Sequence, residues 1–274
     1  MRLTGELQSH GERRARTPTL CASAACLSSS VSVNVPRAIP NTVTRRGALR
    51  LAETNRELVE LVKYRADGYL GGGTRDARVL DAMRDIDRAA FLPASSRWAA
   101  YLDDPVDIGH GQTCSQPSMV AFMLDKLTLA PGLRVLEIGA GCGYAAAIAA
   151  LLCRPEGLVV AVEIHRELAA RARANCSTAG PPYGPPPSDD IEFVVADGSA
   201  GLPERAPFDR ILVSAGARRP AFREELLIAQ LAPDGVLVYP EEHGSLYRIE
   251  RRHGGLVRDR WSGVAFVPLK GRNA

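Results

Sequence analysis

The run Arg134-Val-Leu-Glu-Ile-Gly-Ala-Gly-Cys-Gly-Tyr144, continued by the apolar stretch Ala145 to Leu152, constrains this chain more than any other segment. Val135, Leu136 and Ile138 are branched and apolar, as a buried parallel strand requires. Glycines then stand at alternate positions, Gly139, Gly141 and Gly143, ahead of a run with helical character. Strand, glycine turn and helix is the layout that lets backbone approach a nucleotide-like ligand. Glycine is needed there because a Cβ would block the ligand or the left-handed turn.

The spacing discriminates among ligands. A dinucleotide fingerprint needs glycine at the position occupied by Tyr144, and no Lys-Ser/Thr pair follows to make a phosphate-cradling loop. Glu163 closes the next apolar run, Leu158 to Val162, about as far downstream as a ribose-binding carboxylate stands. A glycine turn with a ribose carboxylate and no pyrophosphate signature points to a nucleoside without phosphates, S-adenosylmethionine. Glu137, inside the motif, joins the cofactor-binding set. The competing reading is a glycine turn in an ordinary α/β domain.

With 274 residues the chain can bury a large core, and a net charge of +3 argues against a nucleic-acid footprint. The six cysteines (21, 26, 114, 142, 153 and 176) form no C-x-x-C pair, which reads as reduced thiols in a cytoplasmic protein. No apolar run reaches the ~20 residues of a membrane span. Residues 1–47 are rich in Arg, Ser, Thr and Ala, with only Glu6 and Glu12 as acids, and read as a disordered or targeting extension. The expected domain covers residues 48–271, divided into a helical subdomain with substrate loop (48–117) and a cofactor-binding core (118–271).

Thr54 and Glu57 make a capping box for a first helix, and Thr74, after Gly71-Gly72-Gly73, opens a second. Phe91, Trp98 and Tyr101 read as core anchors. The polar stretch Gly109 to Met119 then enters a helix at Pro117, the favoured first-turn position for proline. Thr113 and Ser115 therefore precede a helix N-terminus, where free N–H groups attract a carboxylate. On spacing alone Ser115 reads equally well as a cap. Downstream, a helix over 167–179, a stiff proline-rich insertion at 181–187 and strands over 191–195 and 208–213 continue the alternation. A helix around 222–231 and a strand over 236–239 follow. A hairpin of 246–251 and 256–261 and a last strand over 264–269 complete it. The pattern predicts a doubly wound α/β sheet closed by antiparallel strands, with ligands at the carboxyl ends of the strands. The glycine turn, Glu163, Asp197 and Ser214 all fall at such ends.

At this point five blocks together resemble the protein-L-isoaspartate O-methyltransferase family. They are Gly111-Gln-Thr-Cys-Ser-Gln-Pro117, Val135 to Tyr144, Ala196-Asp-Gly198, Ala206-Pro-Phe-Asp209 and Phe266-Val-Pro-Leu269. The resemblance covers roughly residues 50 to 271. It implies a Rossmann-like class I methyltransferase sheet of about seven strands. The implied activity is esterification, from S-adenosylmethionine and without a metal, of the free carboxylate of L-isoaspartyl residues in damaged proteins, with a succinimide then formed spontaneously. It also implies that Ser115 is the active-site serine and that Thr113 shapes its loop. Glu163 would hold the ribose, Asp197 and Gly198 would face the adenine, and Gly139, Gly141 and Gly143 would pass beneath the cofactor. His110 and Ser214 join the substrate and cofactor sets respectively. The chain departs from the family pattern at Ala140, Cys142, His110 and the insertion at 181–187.

The chemistry fits the residues. A carboxylate with pKa near ~4 is ionised at neutral pH and needs no general base to attack a sulfonium methyl. Ser115 has no nucleophile elbow around it and reads as an orienting donor. A base-methylating enzyme would carry an Asn/Asp-Pro-Pro-aromatic block where Val213-Ser-Ala-Gly-Ala217 stands. A methyltransferase for a small-molecule carboxylate and a non-catalytic S-adenosylmethionine-binding protein remain the alternatives. The expected enzyme is a cytoplasmic monomer with no nucleic-acid or membrane partner.

Overall fold

The computed structural model describes residues 42–45, 48–68, 76–181 and 184–274. The expectations placed on residues 1–41 and on Gly71 to Thr74 lie outside these. The chain opens with a ribbon of β1 (Thr42–Arg45) and β2 (Ala48–Leu51), antiparallel with Thr42 opposite Leu51. This ribbon runs across the boundary expected at residue 47. Helices α1 (Asn55–Gly68) and α2 (Ala77–Asp85) follow. Thr54 Oγ1 accepts from Glu57 N at 3.3 Å, and Glu57 Oε2 reaches back to Glu53 N at 3.0 Å, so the box closes one residue earlier than its usual form. The second helix starts at Ala77, with the Asp76 carboxylate accepting from Arg78 N.

Two 3₁₀ turns, Arg88–Phe91 and Ala94–Ala99, lead to a second ribbon, β3 (Val106–Gly109) and β4 (Gln112–Cys114). Of the three aromatics expected in the core here, Phe91 is buried but Trp98 is 79% exposed. A six-residue 3₁₀ turn has one inward edge, and Ala99 occupies it. The segment read as a flexible loop is thus a ribbon, with Val106 opposite Cys114, and Thr113 lies within β4.

Helix α3 (Pro117–Leu127) begins where proline predicts. A seven-stranded sheet then dominates. Its strands are β5 (Arg134–Ile138), β6 (Leu158–Glu163), β7 (Ile191–Val195), β8 (Phe208–Val213), β9 (Leu231–Pro240), β10 (His243–Arg252) and β11 (Gly255–Ala265). Helices α4 (Tyr144–Cys153), α5 (Arg166–Thr178) and α6 (Glu224–Ile228) connect them. The order is β11-β10-β9-β8-β5-β6-β7, parallel from β9 to β7 and antiparallel at β10 and β11. After β5 the chain winds outward to β7, then returns to the other side of β5 as β8. That reversal creates the crevice where open α/β sheets bind ligands.

Side chains alternate between two cores. Val135, Val159, Ala161 and Leu212 face α2, α3 and α4, in one apolar cluster that also contains residues of α1. Leu136, Ile138, Val160 and Val213 face the other side with Phe222 and Leu227. The N-terminal helices therefore pack directly on the sheet's helical layer, and residues on both sides of position 117 share one core.

Three elements depart from expectation. The helix around 222–231 is only Glu224–Ile228, because Gln230 turns inward to accept from Leu202 N and donate to Ala200 O, and Phe208 N donates to Gln230 O. Strand β9 starts at Leu231, not Val236: Leu231 pairs with Phe208 and Val236 with Arg210, so 232–235 loop out between them. The strand expected over 264–269 is the end of β11 followed by a looser segment. There Gly216 N donates to Val267 O and Leu269 N to Gly216 O, tying the tail to the loop after β8.

Candidate functional site

The glycine turn is shaped by backbone demands. Gly139 and Gly141 have φ of +83° and +56°, in the region an L side chain adopts at a cost. Gly139 N and Ala140 N both donate to Val162 O, at 2.9 and 3.0 Å, fixing the turn to the end of β6. Glu163, 4% exposed, completes this anchoring: its Oε2 accepts from Gly141 N and its Oε1 from His165 N, each at 2.9 Å. The carboxylate is thereby held rigidly at the strand's carboxyl end.

Two adjoining clefts open at the switch between β5 and β8. The first, with about 490 Å³ of empty space, is floored by Gly139, Gly141, Glu163 and Gly198 and walled by Ile164, His165 and the Val267–Lys270 segment. The second, about 470 Å³, is bounded by Ser115, Glu137, Ala140, Cys142 and Tyr144. Thr113, Gly139, Gly141 and Ser214 line both, so they stand at the junction.

Glu137 sits at the base of the second cleft, 2% exposed. Ser214 Oγ donates to its Oε1 at 2.8 Å, while its Oε2 has no hydrogen-bond partner among the described residues. Burial pushes this carboxyl up to about 7, against the opposing pull of the Ser214 hydrogen bond and with a further push from the Glu163 charge. A buried acceptor with one unsatisfied oxygen suits a cationic donor brought in by a ligand.

Not every expected residue reaches the clefts. Gly143, at φ +88°, caps α4 and packs on α5: a Cβ there would stand 3.0 Å from Cys176 Sγ. It serves helix packing and does not line either cleft. Asp197 is likewise outside both linings. Its Oδ1 accepts from Ser199 N and its Oδ2 from Arg272 N, both at 2.9 Å, so the carboxylate anchors the C-terminal tail, while the neighbouring Gly198 does face the first cleft. His110 lies at the tip of the β3–β4 ribbon with φ +57°, its ring 4.8 Å from the His165 ring at a 31° tilt. Lys270 Nζ donates to its carbonyl at 3.3 Å.

Ser115 is half-buried between β4 and α3 and faces the second cleft. The helix N-terminus beside it is already satisfied: Ser118 N donates to Asp103 Oδ1 at 2.8 Å. Ser115 is therefore not the cap, and the amides expected to attract a carboxylate are already taken, Ser118 N by Asp103 and Met119 N by Gln116 O. The Ser115 hydroxyl is left available to the cleft.

Sequence reasoning assigned no site role to Ile164, His165 or Val267–Lys270. Position immediately after Glu163 could have flagged the first two, and the Phe266-Val-Pro-Leu269 block the rest. Among the described residues no cluster of three or more His, Cys, Asp or Glu could hold a metal ion, and no helix is long and apolar enough to cross a membrane. Cys114, Cys142, Cys153 and Cys176 are buried free thiols.

Comparison with known proteins agrees with this geometry. A protein-L-isoaspartate O-methyltransferase of Methanopyrus kandleri is 42% identical over 233 residues, 84% of this chain and 93% of the relative. One from Methylorubrum extorquens is 47% identical over 202 residues, 72% and 82% of the two chains. A crystal structure from Plasmodium falciparum, described as a protein-L-isoaspartate O-methyltransferase in complex with S-adenosyl-L-homocysteine, superposes with a TM-score of 0.66 at 27% identity, covering 80% of this chain and 99% of that one. The profile of the protein-L-isoaspartate(D-aspartate) O-methyltransferase family matches residues 55–274, which span every strand of the sheet and both clefts. A fold with its ligand crevice at this switch point, matched across that whole length, places the chain within the protein-L-isoaspartate(D-aspartate) O-methyltransferase family.

Proposed function

We propose that the protein transfers a methyl group from S-adenosylmethionine to the free carboxylate of L-isoaspartyl residues in damaged proteins. The observation that carries this reading is the meeting of two clefts at Thr113, Gly139, Gly141 and Ser214, one walled by a carboxylate-ended strand and the other by Ser115. The first suits a nucleoside; the second suits the donor's cationic end over Glu137 and the substrate carboxylate beside Ser115.

The residues fit the methyl donor. Glu163 stands where ribose hydroxyls would be accepted, Gly139, Gly141 and Gly198 keep the floor free of side chains, and Glu137 Oε2 awaits a positive donor. When bound, S-adenosylmethionine supplies an electrophilic methyl group on a sulfonium. The protein's own task is alignment. A substrate carboxylate is ionised at neutral pH, so no residue needs to remove a proton from it. Ser115 Oγ donates a hydrogen bond that fixes which carboxylate oxygen faces the junction. Holding attacking and accepting atoms in line can supply several kcal/mol of the barrier. Val267, Pro268 and Leu269 wall the cofactor side and keep water from it. The methyl ester then closes to a succinimide without further catalysis: the neighbouring main-chain nitrogen attacks the ester carbonyl, gives up its proton, and methanol leaves.

Four buried, unbridged thiols support a reducing, cytoplasmic setting, and the enzyme is read as a monomer whose partners are damaged proteins. The deciding experiment is transfer of tritiated methyl groups to an isoaspartyl peptide, with its normal aspartyl twin, RNA and a panel of small carboxylic acids alongside. Labelling of the isoaspartyl peptide alone is the expected result. Labelling confined to a small acid would replace this reading with its closest alternative.

A further inference from the structure

Arg88, at the start of the 3₁₀ turn 88–91, is 0% exposed. Its guanidinium meets main-chain carbonyls and, among the described residues, no carboxylate. Nη1 donates to Ala100 O at 3.0 Å and Leu102 O at 2.9 Å. Nη2 donates to Asp104 O at 2.9 Å, Cys114 O at 3.3 Å and Ser115 O at 3.2 Å, and Nε has no partner. Burying a guanidinium without a counter-ion is costly, and stability alone is better served by an apolar side chain of similar volume.

We infer that Arg88 is a positioning residue for methyl transfer, acting on substrate through Ser115. This rests on the proposed function, in which Ser115 orients the carboxylate. The fork ties the 100–104 loop to the two peptide units that carry Cys114 and Ser115, so it fixes the peptide plane from which the Ser115 side chain projects. Asp103 holds the other side of the same turn, accepting from Gln116 Nε2 at 3.0 Å and from Ser118 N at 2.8 Å. Between these two grips Ser115 has little room to move. The Arg88 main chain is itself fixed: Asn55 Oδ1 accepts from Arg88 N at 3.4 Å, and Asn55 Nδ2 donates to Met83 O at 2.8 Å and Ile86 O at 3.2 Å. The charge is also felt in the cleft. The Cys114 thiol is held below its ordinary range, first by its contact with Cys142 and then by Arg88.

Lysine would keep the charge but not the planar fork: one ammonium has three N–H groups for the five carbonyls that Nη1 and Nη2 hold between them, so part of the clamp is lost. Displacing a reacting group by about 1 Å can cost on the order of a hundredfold in rate. Arg88→Lys is therefore expected to lower kcat/KM for an isoaspartyl peptide by about tenfold or more, with S-adenosylhomocysteine affinity by calorimetry within about twofold of the unaltered protein. In a Ser115→Ala background the same substitution should cost less than about twofold, because the group it positions is gone.

Full activity of Arg88→Lys would overturn the inference. So would an equal loss in the Ser115→Ala background, or a parallel fall in S-adenosylhomocysteine affinity, either of which makes the effect general. Should the lysine variant not fold, Arg88→Gln, which retains two N–H donors, is read by the same criteria. Failure of both to fold would make Arg88 a stability residue only and reject the positioning role. If the unaltered protein binds S-adenosylhomocysteine but methylates no isoaspartyl peptide, the functional reading fails, and this inference with it.

Discussion

Ser214 Oγ donates to Glu137 Oε1 across 2.8 Å, joining the end of β8 to the motif strand β5 beneath the junction of the two clefts. Among the described residues it is the one hydrogen bond that the Glu137 carboxyl receives, and burial, partly offset by it, raises the carboxyl to about 7 from an ordinary 4.5. A carboxyl raised on folding binds its proton more tightly in the native state, so the ligand-free protein should lose stability as pH rises from about 4.5 to about 7 and lose no more above that. A cationic ligand at Oε2 reverses the preference. Binding S-adenosylmethionine should then release up to one proton below neutrality and tighten as pH rises towards about 7. Calorimetry at about pH 6 in buffers of different ionisation heat measures this directly, and Glu137→Gln should abolish it. A binding heat independent of buffer would show that Glu137 does not face the positive group.

Replacing Ser115 by alanine should act on turnover and not on the cofactor. Ser115 does not line the first cleft, where the nucleoside would lie, and its assigned partner is the substrate carboxylate, so S-adenosylhomocysteine affinity should stay within about twofold, while loss of one oriented hydrogen bond to a charged group lowers kcat by about tenfold. Steady-state methyl transfer to an isoaspartyl peptide reads the effect. Unchanged turnover removes Ser115 from the reaction.

The local sequence carried those features whose cause is local. A strand of branched residues, glycines at alternate positions and an acid at the end of the next strand announce the crevice because each is dictated by its own backbone. What stayed hidden depends on distant segments. Spacing leaves Ser115 equally a cap or a site residue; Asp103, on a separate loop, decides against the cap by holding Ser118 N. The β3–β4 ribbon is only four and three residues long, too short for alternation to declare it. Asp197 sits at a strand end as expected, but Arg272 N, from the far end of the chain, claims its carboxylate. Val267–Lys270 reach the first cleft because Gly216, Glu242 and Asp197, all distant in sequence, hold that segment. Trp98 shows the complementary failure: aromatic character favours burial but does not say which edge of a 3₁₀ turn faces in.

The third glycine of the motif should prove to be a stability residue. At Gly143 an added Cβ would lie 3.0 Å from Cys176 Sγ and 3.2 Å from Ala172 Cβ, on a backbone at φ +88°. Left-handed strain and overpacking add, so Gly143→Ala should cost on the order of 2–4 kcal/mol in urea unfolding. Gly132→Ala is the control: φ is +79° there but nothing lies within 4 Å, so only the backbone cost of about 1–2 kcal/mol applies. Equal losses at both positions would mean that the close contact of α4 with α5 contributes nothing.

The buried pair Arg65–Asp103 makes the most severe single substitution predictable. Arg65 Nη1 meets Asp103 Oδ2 at 2.8 Å, with side-chain exposures of 7% and 0%, and the same carboxylate also receives Gln116 Nε2 and Ser118 N. Asp103→Leu takes the carboxylate away from a buried guanidinium and the acceptor from two further donors. A loss of about 3–5 kcal/mol follows, equivalent to a fall in Tm on the order of 10 °C for a domain of this size. Because the pair is shielded from solvent, added salt should not soften the loss. Changing both partners, Arg65→Met with Asp103→Leu, should recover part of the stability, since the buried guanidinium is removed together with its carboxylate. A double variant no more stable than Asp103→Leu would show that the hydrogen bonds to the Ser115 turn, and not the ion pair, are what Asp103 contributes.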